Sequence, residues 1–294
     1  MARLLRLLLL LAPVLLWGQA ARPKIIDAHI HHNGEITFLR KLVARLQAAD
    51  AMGLLITAPK DLESVKSFID RYPNRLAGLG EIKLDDPSAV ELVDRFHEAG
   101  FCGLGELTRP LRRYDDRSYW PIYARAEQYR MILLFHTGIV NRLNPDVPED
   151  VSIDRMRPTT LDLIARRFPK VTIIGAHLGN PDYAHAAEIA RWSPNLYFDL
   201  SGSTLIKKQP DYTFFNSVFW WSAVASPHTP KTKTHAFEKV VFGSDIFRGE
   251  IEEFDRGLDR YHKMLDACNV PPEAQANIMG GTVWRLLRSQ KRQR

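Results

Sequence analysis

A chain of 294 residues, 45% hydrophobic and 25% charged, has the composition of an ordinary globular protein, which excludes the disordered and fibrous classes. Its formal net charge of +6 sits at the ends: with Arg3, Arg6 and the basic groups of residues 285–294 set aside, the body is close to neutral. A nucleic-acid footprint needs a basic face on the fold itself and is not expected.

The chain opens on a short basic lead, Met1 to Arg6, followed by a nearly unbroken apolar run from Leu7 to Trp17 and then by Gly18-Gln19-Ala20. That order reads as a secretory signal peptide over residues 1–20, cut after Ala20, and predicts a periplasmic or secreted protein. The run falls short of the roughly 20 residues that span a bilayer, which favours a cleaved leader over a retained anchor. No later stretch reads as a membrane span. The two cysteines, Cys102 and Cys268, could pair in an exported protein. Cys102 lies in an apolar strand-like run and Cys268 on a late helical segment, so both are expected unpaired in the core.

Eight short apolar stretches bounded by turn residues follow in chain order: Ile25–His31, Met52–Thr57, Leu76–Ile82, Phe101–Leu107, Met131–His136, Val171–His177, Leu196–Leu200 and Val240–Asp245. Stripes of helical period lie between them. Phe38, Leu39, Leu42, Val43 and Leu46 form one, Val90, Leu92, Val93 and Phe96 another, and Leu161, Leu163, Ile164 and Phe168 a third. Eight strand–helix alternations predict a single (β/α)8 TIM barrel over residues 23–290, about the usual 250-residue size. An open doubly wound sheet is the alternative, but no G-x-G-x-x-G turn follows the first strand. A long insertion at about 201–239 separates strands seven and eight. It carries Phe214, Phe215, Phe219, Trp220 and Trp221, then a Pro/Lys/Thr-rich stretch from Pro227 to Thr234. It reads as a lid or partner surface, or as a barrel helix with a surface loop appended.

Chemistry concentrates at one end of these strands. In a parallel barrel every strand ends at a common face, and that face carries the active site. Strand one ends in His29-Ile30-His31, strand four at Glu106, strand five at His136, strand six at His177 and strand eight at Asp245. Side chains alternate along a strand, so His29 and His31 are expected on one side, with Asp27 one step deeper. The two imidazoles can share a divalent ion that His136 and Asp245 complete to an N3O set. Zinc suits such ligands best, with iron, manganese, nickel or cobalt as alternatives. Any one of these histidines alone is more often a hydrogen-bonded rim residue; the whole set at matching strand ends is what carries the reading.

The sequence resembles the amidohydrolase superfamily of metal-dependent hydrolases, and within it the amidohydrolase-related branch that includes aminocarboxymuconate semialdehyde decarboxylase and several lactone hydrolases. Ile26-Asp27-Ala28-His29-Ile30-His31 matches the first-strand D-x-H-x-H motif, Phe135-His136-Thr137-Gly138 the strand-five histidine, Ile174 to Gly179 the strand-six histidine, and Val241-Phe242-Gly243-Ser244-Asp245 the strand-eight aspartate. Ile278 to Thr282 and Val283 to Leu287 are similar to the closing helix, so the likeness covers Ile25 to Leu287. The resemblance implies that His29, His31, His136 and Asp245 hold the metal. His177 then works on the substrate at a one-metal site or becomes a ligand at a two-metal site, where Glu106 bridges the ions. It also implies a metal that lowers the pKa of bound water, Asp245 as general base and then acid, and His177 polarising the scissile carbonyl. Asp27 could orient a metal histidine.

Arg109 and Arg248, each three residues past a site residue, are candidates to bind a substrate carboxylate. The function these readings favour is a metal-dependent hydrolase of a small-molecule amide, ester or lactone, with one or two ions. A non-oxidative decarboxylase of a small aromatic or unsaturated acid is the second reading. A non-catalytic ligand-binding barrel is the third, opposed by the complete ligand set. The substrate is the expected partner, and assembly into a homo-oligomer is left open.

Overall fold

The computed structural model describes residues 22–141, 146, 151–202, 204–222 and 235–291. The leader, the stretch from Pro227 to Thr234 and His228 lie outside the described residues. Seven parallel strands pair in sequence order: β1 (Ile25–His31), β2 (Ala51–Thr57), β3 (Leu76–Gly80), β4 (Gly103–Leu107), β5 (Ile132–Phe135), β6 (Thr172–Gly175) and β7 (Leu196–Phe198). The eighth predicted strand forms no ladder of its own, yet it closes the ring. Single bridges link Val240 to Phe198 and Ile246 to Ile30. Val241 N donates to Phe198 O at 2.9 Å, Ala28 N to Phe242 O at 2.9 Å, and Asp245 N to His29 O at 2.9 Å. The segment stays irregular because Phe242 N turns to Ile278 O, outside the sheet, and Asp245 adopts a left-handed backbone, φ 57°.

Helices α1 (Ile36–Ala48), α2 (Leu62–Arg71), α3 (Ala89–Glu98), α4 (Trp120–Gln128), α5 (Thr160–Arg167) and α6 (Tyr183–Trp192) alternate with the strands. The predicted stripes face inward as their period requires: Phe38, Leu39, Leu42, Val43 and Leu46 are all buried, as are Val93, Phe96, Leu161, Ile164 and Phe168. Leu163 is exposed instead. In the described part of the insertion, α7 (Thr204–Lys208) and α8 (Phe215–Val218) pack against the barrel wall. Phe215 and Phe219 are buried there, and Phe214 and Trp220 remain partly exposed. Helices α9 (Glu252–Ala267), α10 (Pro272–Ala276) and α11 (Thr282–Lys291) finish the chain.

Two apolar layers result. The larger lies between sheet and helices. The smaller fills the barrel interior with Ile26, Ala28, Met52, Leu54, Ile56, Leu79, Ile132, Leu134, Ile174, Ala176 and Val241, and α11 adds Val283 and Leu287 to it. Cys102 and Cys268 are both buried and form no disulfide. Among the described residues, no helix is long and apolar enough to cross a membrane.

Candidate metal centre

Two β-irregularities aim the site. Between Asp27 and Ile30 the β1–β2 register shifts by one extra residue on β1. Ile26 and Ala28 face the barrel interior while Ile30 packs with the helices. The extra residue reverses the alternation, so that His29 and His31 also turn inward. β4 repeats the device between Leu104 and Leu107, which both pack outward and leave Glu106 inward. Gly78-Leu79-Gly80-Glu81 echoes Gly103-Leu104-Gly105-Glu106 in sequence, but without such an irregularity Glu81 ends exposed.

The inward groups meet as two triads, each with ligand atoms within 4.8 Å of one another: His29, His31 and Asp245, and Glu106, His136 and His177. His29 Nε2 lies 3.1 Å from His31 Nε2, and Asp245 Oδ1 lies 3.6 and 3.4 Å from the two rings. Glu106 stands between the triads. Its Oε1 is 2.9 Å from His136 Nδ1, 3.4 Å from His177 Nε2 and 3.9 Å from His29 Nε2, and its Oε2 is 3.8 Å from His31 Nε2. His136 is thus grouped with Glu106 and His177 rather than with His29, His31 and Asp245. His136 Nε2 faces the Ile139 carbonyl at 3.1 Å, which leaves Nδ1 as the nitrogen turned to the site.

The electrostatics fit a bound cation. Glu106, Asp199 and Asp245 crowd this pocket with no lysine or arginine paired to them among the described ion pairs. Burial opposes charge on His29, but the carboxylates of Asp245, Asp199 and Glu106 outweigh it and raise the ring to about 10. Burial likewise opposes charge on His177, where Glu106 and then Asp245 and Asp199 raise the ring to about 9. Burial alone would raise Glu106, and the His136, His177 and His29 rings instead hold it well below the usual carboxylate range. Without a metal the His29 and His177 rings take protons to balance the carboxylates; a divalent ion supplies the same charge and releases those protons. Imidazole nitrogens with carboxylate oxygens form a donor set that such an ion accepts.

Asp27 does not orient a histidine ring as anticipated. Its Oδ1 accepts from the backbone N–H groups of His29 (3.1 Å) and Ser244 (2.9 Å), which ties β1 to the closing segment. The alternation argument failed because it could not see the extra residue on β1. The group that contacts the His29 ring is Asp199, just past β7, at 3.0 Å from Nδ1. The rule that picked out the other strand ends, an ionisable residue after an apolar run, points to Asp199 as well.

The rim holds the remaining candidates. Arg109 has φ 49° and donates from Nη2 to Asn141 O at 3.3 Å, while its Nε has no hydrogen-bond partner among the described residues. Arg248, φ 54°, lies 5.4 Å above the ring of exposed Phe247, and Phe247 meets His31 edge-on with centroids 5.4 Å apart.

The sequence profile of the amidohydrolase family matches residues 26–288. The chain belongs to the amidohydrolase family. No curated protein matches it. Among solved structures it is similar to an uncharacterised TIM-barrel protein from Bordetella bronchiseptica, with 16% identity over 91% of this chain and 99% of that one and a TM-score of 0.65. It is also similar to a putative 2-pyrone-4,6-dicarboxylic acid hydrolase from Pseudomonas putida, with 15% identity, 90% and 97% coverage and a TM-score of 0.57. A third is a 5-carboxyvanillate decarboxylase from Novosphingobium aromaticivorans with bound manganese, with 13% identity, 90% and 97% coverage and a TM-score of 0.57. At these identities the likeness supports the TIM-barrel fold, and the fold does not choose among chemistries.

Proposed function

We propose that this amidohydrolase hydrolyses a C–O or C–N bond of a small-molecule amide, ester or lactone at a two-cation centre. The observation that carries the proposal is the placement of Glu106, which completes one triad with His136 and His177 and lies 3.9 and 3.8 Å from the His29 and His31 rings of the other. His29, His31 and Asp245 would hold one ion, and His136 and His177 the other, with Glu106 shared. The ions would supply Lewis acidity, which activates water near neutral pH and polarises a carbonyl. Zinc suits the imidazole-rich donors best, and manganese, bound by the N. aromaticivorans decarboxylase, is the competing ion.

The chain's own groups account for the proton movements. Burial would raise the Asp245 carboxyl, but His29, His31 and His177 lower it, so it is ionised as a base must be. In this role Asp245 takes the proton of the attacking water and returns it to the leaving group. His177 has its Nδ1 committed to the Ser201 carbonyl at 2.6 Å, so only Nε2 is available. That nitrogen either binds an ion or polarises the substrate, and the closeness of Glu106 favours binding.

Decarboxylation is the second reading, favoured by the rim: the exposed Phe247 face with Arg248 over it fits a planar acid. Incubating the metal-replete full chain with esters, lactones, amides and aromatic acids in 18O-labelled water separates the two. Label in the product, with turnover cut at least 10²-fold by Asp245→Asn, is the outcome expected of hydrolysis. Release of carbon dioxide with no 18O in the organic product transfers the assignment to the decarboxylase.

A further inference from the structure

Strand β7 contributes no residue to either triad, yet its C-terminal tip touches both. Asp199 is fully buried, and its two oxygens face different partners. Oδ2 lies 3.0 Å from His29 Nδ1. Oδ1 accepts from three donors: the His177 backbone N–H at 3.0 Å, the Ser201 backbone N–H at 2.9 Å and the Ser201 hydroxyl at 2.6 Å. The Ser201 carbonyl then receives His177 Nδ1 at 2.6 Å. The next residue, Gly202, has φ 51°, and a side chain there would run into the Asp245 carboxylate and the His177 ring.

We propose that Asp199 is the positioning residue that couples the two triads, and that it does so by fixing which nitrogen of His29 carries the proton. This rests on the two-cation reading above. With three donors fixed on Oδ1, Oδ2 is left as an acceptor facing His29. The ring therefore donates from Nδ1 and turns the lone pair of Nε2 toward His31 and Asp245, where an ion would sit. The same carboxylate holds the backbone of His177, whose own Nδ1 is held by Ser201. One buried side chain thus sets the ring of a ligand in the first triad and the main chain of a ligand in the second.

Asp199→Asn separates this role from plain packing, because it keeps size and shape. The three donors on the Oδ1 side demand the amide oxygen, so the amide NH2 must face His29 Nδ1. Two donors then oppose each other, the His29 proton is driven to Nε2, and the lone pair is withdrawn from the first triad. The expected result for the full chain, stripped with chelator and titrated with zinc alone, is a folded variant that binds one zinc 10- to 100-fold more weakly while the other binds as in the unmodified protein. In zinc-loaded unmodified protein, 15N spectra of the histidine rings are expected to show His29 protonated at Nδ1; this readout needs no variant and holds even if Asp199→Asn does not fold. A folded variant with both zinc affinities unchanged, or a His29 ring protonated at Nε2 in the unmodified protein, overturns the proposal. Unmodified protein that binds no zinc overturns the two-cation reading first and this inference with it.

Discussion

At the scale of single residues, the site depends on side chains held in one orientation by groups that do not themselves face the substrate. Five residues at or just past the strand tips, Arg109, His177, Leu178, Asp245 and Arg248, have left-handed backbones. Such conformations cost about 1–3 kcal/mol each and persist where the surroundings impose them. Gly202 takes the same conformation without that cost and leaves room for its neighbours. Gly202→Ala is expected to reduce turnover by about 10²-fold, because its Cβ would stand 2.7 Å from His177 Cε1 and displace a ring whose position matters at the ångström scale. Steady-state kinetics with a parallel melting curve checks this; unchanged turnover would show that the His177 ring tolerates displacement. The six ionisable members of the triads were all legible in the sequence, because each closes an apolar run at a strand end. Their grouping was not: that His136 joins Glu106 and His177 depends on ring orientation, and His136 turns its Nδ1 inward only because the Ile139 carbonyl meets Nε2.

At the scale of elements, hydrophobic period located seven strands within a few residues of their observed ends. The discrepancies lie where function bends the backbone. β6 stops at Gly175 rather than His177 because His177 and Leu178 are left-handed, and the eighth strand survives only as two bridges. The extra residues on β1 and β4 leave no mark in a pattern of apolar residues, yet they decide that Glu106 reaches the centre and Glu81 does not. Helix α11 is the other device that the pattern only partly disclosed. Its Val283 and Leu287 enter the layer inside the barrel and close the end away from the site. Leu287→Ala is expected to destabilise the fold by about 2–5 kcal/mol through a cavity in that layer, while metal content stays unchanged. Chemical denaturation of the full chain measures it, and a loss below about 0.5 kcal/mol would mean that the interior layer does not depend on this helix.

At the scale of the whole molecule, the barrel gathers donors from five strand ends, none of which could hold an ion alone, around one buried carboxylate. The overall charge plays no part in this. The body is close to neutral, and the field that matters is local: carboxylates at the strand ends, above an apolar barrel interior, compensated by the His29 and His177 rings that burial alone would keep neutral. The most direct test of this arrangement is the metal content of the purified, metal-replete full chain, measured by elemental mass spectrometry beside His29→Ala/His31→Ala and Glu106→Gln. Two equivalents of zinc or a similar divalent ion per chain, reduced in both variants, is the result the two-triad centre predicts. A folded chain that holds no divalent metal under those conditions would contradict it.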